Sequence, residues 1–115
     1  MTKTEPDRLE LLHGTLEMMA LRTLLFGPSN GYQIAKTIER MSEDILQVDH
    51  GSLYPALHRL EKRGWVESKW DITGTKRKAK FYRLTPLGRK FLTAEHSKWE
   101  QLSNAISRVM RPVKG

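Results

Sequence analysis

Histidines are the side chains in this sequence best suited to proton transfer or metal binding at neutral pH. The four of them, His13, His50, His58 and His96, are scattered, and no two have the spacing of three or four residues that places both on one helix face. Asp49 beside His50 suggests an acid/base pair, but it precedes a predicted helix and is better explained by capping. The chain has no cysteine, no glycine-rich phosphate loop and no nucleophile elbow. We therefore expect no metal, no cofactor and no catalytic activity.

The segment from Gly51 to Gly64 carries polar and cationic side chains at helical spacing. Ser52 is predicted to cap the first amides, Pro55 to lie in the first turn and Gly64 to end the helix in a left-handed conformation. One side is an apolar stripe of Leu53, Ala56, Leu57 and Leu60, and the other presents Ser52, Tyr54, Pro55, His58, Arg59 and Lys62. A short helix with such an outer face fits a DNA major groove.

The chemistry of these side chains suggests a role for each. Ser52 and the amides near it would bind a phosphate, and Lys62 and Lys36 would lie near other phosphates. Tyr54 can donate its hydroxyl to the DNA backbone or a base edge. His58 and Arg59 are expected to reach bases, since arginine can pair bidentately with guanine. The alternative for Arg59 or Lys62 is an ion pair with Glu61, Glu67 or another neighbour.

The positive charge is concentrated next to this helix. The formal net charge is +7, and the stretch from His58 to Lys90 holds eleven of the twenty Lys and Arg residues but only three of the thirteen acids. Within it, a basic cluster of Lys76, Arg77, Lys78 and Lys80 is predicted to contact phosphates or the minor groove. An acidic membrane or protein would match the charge alone equally well. The alternative for the cluster is that it only keeps an exposed hairpin edge soluble.

The rest of the chain predicts elements that would position these residues. Helices are expected over about 9–26, 31–42, 51–64 and 85–110, a brief strand over 45–48, and two alternating strands over 65–70 and 79–84. Ser29 or Asn30 is available to cap the second helix. The fold class is mainly α with a small β-hairpin wing: a winged helix-turn-helix with a long C-terminal dimerisation helix. The organisation is a flexible arm (1–8), the DNA-binding domain (9–84), the dimerisation helix (85–110) and a flexible tail (111–115).

The closing helix is too long for one small domain to cover. Its apolar residues follow alternating steps of three and four, interrupted by Glu95, which predicts a homodimer with helices packed across a two-fold axis. The first helix of the other subunit is expected to contribute, so the predicted interface comprises Leu9, Leu12, Leu16, Leu92, Trp99, Leu102, Ile106 and Val109. Trp99, with Met19 as an adaptable neighbour, is a candidate for binding a small hydrophobic or aromatic effector; the alternative is that Trp99 is packed interface core.

Four motifs in this order resemble the PadR family of bacterial winged-helix transcriptional regulators. They are LHGTLE at 12–17, GYQIA at 31–35, GSLYPALHRLE at 51–61 and FYRLTPLG at 81–88. The resemblance covers nearly the whole chain and implies a homodimer on a palindromic operator, most often a repressor relieved by a ligand or other cue. It also implies that Tyr54 lies at the DNA. The single closing helix is similar to the short branch of the family.

One departure from the family pattern concerns the wing. Relatives often carry consecutive Gly and Arg residues where this chain has Thr75 to Lys80, and Phe81 replaces the first Tyr. Lysine is a point charge rather than a bidentate fork, so wing contacts are assigned to phosphates. The alternative function is a winged-helix module that binds protein or RNA. No apolar run has membrane-spanning length and no signal peptide is evident, so a cytoplasmic location is expected.

Overall fold

The computed structural model describes residues 15–113 of the chain. In order, these form α1 (Leu16–Thr23), a 3-10 turn (Leu24–Phe26), β1 (Ser29–Asn30), α2 (Gly31–Met41), α3 (His50–Lys62), β2 (Val66–Ile72), β3 (Lys78–Leu84) and α4 (Pro86–Val109). The strands form an antiparallel sheet in the order β1-β3-β2. This is the predicted fold class, mainly α with a small hairpin wing. The predicted arm (1–8), the start of the first helix (9–14) and the last two residues lie outside the described part.

A single hydrophobic core joins the helices to the base of the hairpin. The apolar stripe predicted for α3 is fully buried in it, because that stripe faces α1 and α2. Leu92 from the start of α4 and Val66 and Tyr82 from the hairpin lie in the same core. The buried apolar residues are Leu16, Ala20, Leu21, Leu24, Ile34, Ala35, Ile38, Leu53, Ala56, Leu57, Leu60, Val66, Tyr82 and Leu92.

The predicted cap of α2 is confirmed at Asn30. Its side chain accepts a hydrogen bond from the Gln33 amide at 2.8 Å, and the Gln33 side chain accepts one from the Asn30 amide at 3.0 Å. This reciprocal capping box satisfies two amides that the helix itself leaves unpaired. Asn30 also pairs with Phe81 as part of β1, so one residue joins the helix start to the sheet.

The strand predicted over 45–48 was wrong; these residues form a loop, and the third strand is Ser29–Asn30 instead. Glu43 and Asp44 have positive φ angles of 53° and 64°, which turn the chain sharply after α2. The amides that a strand would pair are bonded to side chains, Leu46 to Ser42 Oγ at 3.1 Å and Val48 to Glu39 Oε2 at 2.9 Å. The loop therefore needs no strand partner.

The start of α3 also differs from the prediction. The helix begins at His50 with Asp49 at the N-cap position, although the Asp49 side chain makes no capping bond to the backbone. Ser52 is the third helical residue rather than a cap, and its hydroxyl donates to Asp49 Oδ2 at 3.1 Å. Pro55 consequently lies inside the helix rather than in its first turn. The left-handed stop at Gly64 is confirmed by its φ of 77°.

Hydrogen bonds and ring stacking connect the end of α3, the start of β2 and the start of α4 in one junction. The Thr85 hydroxyl accepts a hydrogen bond from the Gly88 amide at 2.9 Å, which caps α4, and donates to the Gly64 carbonyl at 2.7 Å. The Thr85 amide donates to the Trp65 carbonyl at 3.1 Å. Next to it, the Trp65 ring stacks on Phe91 of α4 at a centroid separation of 3.6 Å. The end of α3 is thereby fixed to the start of α4.

Beyond this junction α4 projects away from the core. The described residues extend over 61 × 34 × 23 Å, and the last buried residue of α4 is Leu92. Within residues 15–113 no helix is long and apolar enough to cross a membrane.

Candidate nucleic-acid interface

The solvent-facing side of α3 is a continuous polar strip. With Leu53, Ala56, Leu57 and Leu60 buried, the residues on the opposite side are exposed. They recur at helical spacing along its length: Gly51, Tyr54, Pro55, His58 and Lys62. The strip contains hydrogen-bonding groups and a cation but no carboxylate, which suits contact with an anionic partner.

Tyr54 is positioned by α2. A Cβ placed on Gly31 would lie 2.5 Å from a ring carbon of Tyr54, so the absence of a side chain at Gly31 makes room for the tyrosine ring. His50 packs on the same ring at a centroid separation of 5.8 Å. Tyr54 remains 46% exposed, so its ring is held while part of it stays free to contact a ligand.

Arg59 lies at the edge of the strip and is held by an acidic residue of α1. Its Nε donates to Glu17 Oε2 at 2.7 Å, and Arg63 Nη1 lies 3.7 Å from the other Glu17 oxygen. The partner was not among the acids considered from sequence, because Glu17 is 42 residues away. The bond engages Nε, so a bidentate pair with guanine would have to use the two terminal nitrogens of Arg59.

The hairpin lies against α3 through Glu61. This carboxylate accepts a hydrogen bond from the Ser68 hydroxyl of β2 and lies 3.2 Å from Lys80 Nζ of β3. The Ser68 bond is the main cause that lowers the pKa of Glu61; burial opposes it, and Lys80 lowers it further. Lys80, predicted to contact DNA, is thus tied to α3 and only partly exposed.

The other predicted wing cations lie at the tip of the hairpin. Lys76, Arg77 and Lys78 are exposed, and the ion pairs found among residues 15–113 involve none of them. The turn is closed by hydrogen bonds between the backbones of Thr73 and Arg77 and of Lys76 and Thr73, both at 2.8 Å. Three adjacent cations therefore project from a well-defined turn.

Lys36, predicted to lie near phosphates, is on the exposed side of α2. Its Nζ is 3.9 Å from Glu39 Oε1 and 5.5 Å from the centre of the Tyr32 ring, and its side chain is 58% exposed. These contacts are long and leave the ammonium accessible to solvent.

The predicted dimer residues fall into three groups. Trp99, Leu102, Ile106 and Val109 are exposed along one face of α4, by 43% to 81%. Leu16 and Leu92 lie instead in the hydrophobic core of the single chain, 7% and 6% exposed, which leaves little of either side chain for a partner. Leu9 and Leu12 lie outside the described residues.

In the two pockets described among residues 15–113, Met19 and Trp99 do not occur together. Met19 is part of a shallow apolar pocket of about 210 Å³ between α1, α2 and the following loop, together with Ile38, Met41 and Leu46. Trp99 is not in its lining. Among residues 15–113 there is also no group of three His, Cys, Asp or Glu side chains arranged to hold a metal ion.

Three helices followed by a hairpin, with an exposed polar strip on the third helix and a cationic hairpin tip, define a winged helix-turn-helix protein. The sequence model of the Transcriptional regulator PadR-like family matches residues 20–94. The chain belongs to this family, which confirms the resemblance seen in its motifs.

Individual relatives agree with this assignment. A transcriptional regulator from Clostridium thermocellum has a similar structure, with 29% identity, a TM-score of 0.81 and coverage of 89% of this chain and 99% of the other. A PadR family regulator from Eggerthella lenta is 31% identical, with a TM-score of 0.75 and coverage of 91% and 89%. A transcriptional regulator of Mycobacterium tuberculosis is 35% identical over 68 residues, which are 59% of this chain and 63% of that protein.

Proposed function

We propose that this protein is a sequence-specific double-stranded DNA-binding transcriptional regulator, a homodimeric repressor that reads a palindromic operator with α3 and its basic wing. The observation that carries the proposal is that two surfaces suited to an anionic partner, the exposed strip of α3 and the tip of the hairpin, belong to elements that are packed together. The exposed strip of α3 (Gly51, Tyr54, Pro55, His58 and Lys62) contains no carboxylate. The hairpin joined to α3 through Glu61 ends in three cations that form no ion pair among residues 15–113. A groove-reading helix beside a phosphate-binding wing is the arrangement that this fold uses on DNA.

Base reading is assigned to the α3 strip. Tyr54 and His58 offer hydrogen-bonding groups at its centre, and Arg59 reaches the groove from its edge. Glu17 fixes the Arg59 side chain by its Nε bond, so less conformational freedom is lost when the terminal nitrogens bind. Ser52 and Lys62 lie at opposite ends of the helix, where contacts to phosphates would set its register.

Phosphate binding is assigned to the wing and to Lys36. Lys76, Arg77 and Lys78 have no acidic partner within the described chain, and Lys36 has only a long contact to Glu39. Lysine ammonium groups attract phosphates with little dependence on base sequence. Lys80 contributes less in this proposal, because it already neutralises Glu61.

Two copies of the chain are required for useful specificity. One α3 strip offers two or three base-reading side chains, each worth about 1–3 kcal/mol of discrimination. The exposed apolar face of α4 (Trp99, Leu102, Ile106 and Val109) supports a homodimer that holds two such helices at a fixed separation. A dimer with two-fold symmetry reads a palindromic site.

We further propose that a small hydrophobic or aromatic effector relieves repression by binding between the two α4 helices against Trp99. The support is the 43% exposure of this ring in the protomer. Measuring the affinity for the effector checks the site. We expect Trp99→Ala to lose this affinity, and Met19→Ala is the variant with which it is compared.

Gel retardation with the duplex upstream of the protein's own gene tests the main proposal. We expect this fragment to be shifted at about tenfold or more lower protein concentration than a random duplex of equal length. Equal retardation of both would contradict a sequence-specific regulator. Retardation of neither, with binding to RNA or to a protein, would favour a winged-helix module with another partner.

Two variants then separate base reading from phosphate contact. Arg59→Ala is expected to reduce the preference for the specific fragment, by about 1–3 kcal/mol of discrimination. Lys78→Ala is expected to weaken both duplexes equally and to reduce the slope of log affinity against log salt by about one. If Lys78→Ala reduced the preference and Arg59→Ala weakened both duplexes equally, Lys78 would be assigned to bases and Arg59 to phosphates.

A further inference from the structure

The face of the hairpin that packs on α3 continues outward as an exposed apolar pair. In the β2–β3 register, Val66 opposes Leu84 and Ser68 opposes Tyr82, and this face contacts the core and Glu61 of α3. Because side chains alternate along a strand, the same face next carries Trp70 and then Ile72. Both lie beyond the core, and each is 63% exposed.

Packing within the fold does not explain why two large apolar side chains are exposed at these positions. Neither Trp70 nor Ile72 belongs to the hydrophobic core or packs against it. If the wing only presented charge, polar residues would be expected on its edge strand, because exposed apolar side chains on an edge strand promote aggregation. Aromatic side chains bury about 150–250 Å² when they are covered, so a ligand that covers Trp70 would gain substantial apolar contact.

The surroundings of the pair specify an anionic partner. Lys78 lies directly opposite Ile72 on the same face, and Lys80, which already pairs with Glu61, lies directly opposite Trp70. Lys76 and Arg77 follow in the adjoining turn. The one acid of this part of β2, Asp71, alternates to the other face. The partner must therefore be strongly anionic and also offer apolar surface.

We propose that Trp70 and Ile72 form an apolar contact with deoxyribose at the minor-groove edge of the duplex that α3 enters, with Lys76, Arg77 and Lys78 on the flanking phosphates. This inference rests on the proposed DNA-binding function and changes the role of the wing within it. Proteins that bind the minor groove place apolar side chains in it, and the walls of that groove are lined by deoxyribose. Wing binding then has a component that does not depend on salt, in addition to the salt-dependent contribution of the lysines.

Fluorescence anisotropy of a labelled duplex from the protein's own promoter tests the contact, with wild type, Trp70→Ala and Trp70→Phe compared over a range of salt. We expect Trp70→Ala to bind about tenfold more weakly with an unchanged salt slope, since stacking and apolar contacts release no counterions. Trp70→Phe should retain most of the affinity. Phe26→Ala is the matched control, because Phe26 is 65% exposed and lies outside the hairpin; its affinity should equal wild type.

Intrinsic fluorescence gives a second measurement on the same samples. Addition of duplex should change the emission of wild type much more than that of Trp70→Phe, because Trp65 and Trp99 are present in both. Wild-type affinity in Trp70→Ala, or an affinity loss accompanied by a lower salt slope, would overturn the inference while leaving the proposed function in place. Absence of duplex binding by wild type would overturn the proposed function itself. Equal thermal unfolding midpoints show that the exposed substitutions leave the fold intact.

Discussion

The packing of Tyr54 over Gly31 shows how one small residue can support a surface that it does not belong to, here the α3 strip that we propose to read DNA. Gly31 is the first residue of α2, and the Tyr54 ring occupies the space where its side chain would be. The ring is packed against the start of α2 and against His50, and 46% of the residue remains exposed. Preorganisation of this kind reduces the conformational entropy that binding would otherwise cost.

Gly31→Ala is therefore expected to impair DNA binding more than folding. The new methyl group would lie 2.5 Å from the Tyr54 ring, and a half-exposed ring at the end of a flexible side chain can move aside. We expect the free energy of unfolding to change by less than about 1 kcal/mol and the affinity for the promoter duplex to fall by about tenfold. In a Tyr54→Ala background the same substitution should have no further effect on affinity. An equal loss in that background would show that Gly31 acts independently of Tyr54.

Residue contacts between distant parts of the sequence were the least predictable from sequence. The sequence predicted Arg59 on the outer face of α3 with His58 and Lys62, whereas in the structure it is only partly exposed, at the edge of the strip. Its partner Glu17 could not be predicted, because the pairing depends on how α1 crosses α3. Likewise, the alternation along β2 places Trp70 on the face of Val66, but its exposure depends on where the core ends.

At the scale of elements, the junction around Thr85 connects α3, which we propose to face the DNA, to α4, which we propose to carry dimerisation. The cap of α4, the end of α3 and the start of β2 share the hydroxyl and amide of this residue. Gly88 is required for the close approach, because a Cβ at this position would lie 2.0 Å from the Trp65 carbonyl oxygen. The obstacle is backbone, which cannot rotate away as a side chain can.

Gly88→Ala is consequently expected to destabilise the protein by about 3 kcal/mol or more, since one of the two backbones must shift. Urea unfolding followed by tryptophan fluorescence measures the change. Gly74→Ala is the matched control: nothing lies within 4 Å of a Cβ at Gly74, and its effect should be within about 1 kcal/mol. Similar stabilities for the two variants would contradict the tight contact at Trp65.

The helices and the two hairpin strands were predicted from local patterns, whereas the cap at Ser52 and the strand over 45–48 were not found in the structure. Asn30 and Thr85 combine cap chemistry with a following helical pattern, and both cap helices in the structure. The apolar run at 45–48 resembles a strand, but strand pairing requires a neighbour, and side chains of Ser42 and Glu39 satisfy its amides. The two-residue β1 was missed because Ser29 and Asn30 have turn chemistry and no strand pattern.

The whole molecule has an elongated shape because α4 extends well past its last core contact. A helix of 24 residues is about 36 Å long, and beyond Leu92 its apolar residues are exposed along one face. The alternating spacing of three and four was evident in the sequence. It did not show that Leu16 and Leu92 would be buried in the core of the single chain, because periodicity alone does not show which apolar face a core will cover. The remaining seam is Trp99, Leu102, Ile106 and Val109.

If this seam joins two copies, a charge at its centre should separate them without unfolding either. Ile106 is 52% exposed in the protomer, so Ile106→Lys leaves the core unchanged but would bury an unpaired ammonium in a dimer. We expect wild type to sediment at about twice the chain mass of 13.3 kDa and the variant at the chain mass. Affinity for a duplex with both half-sites should fall by about 100-fold, while affinity for a single half-site should stay constant. Asn104→Lys, on the opposite side of α4, should remain dimeric, and a dimeric Ile106→Lys would place the subunit contact elsewhere.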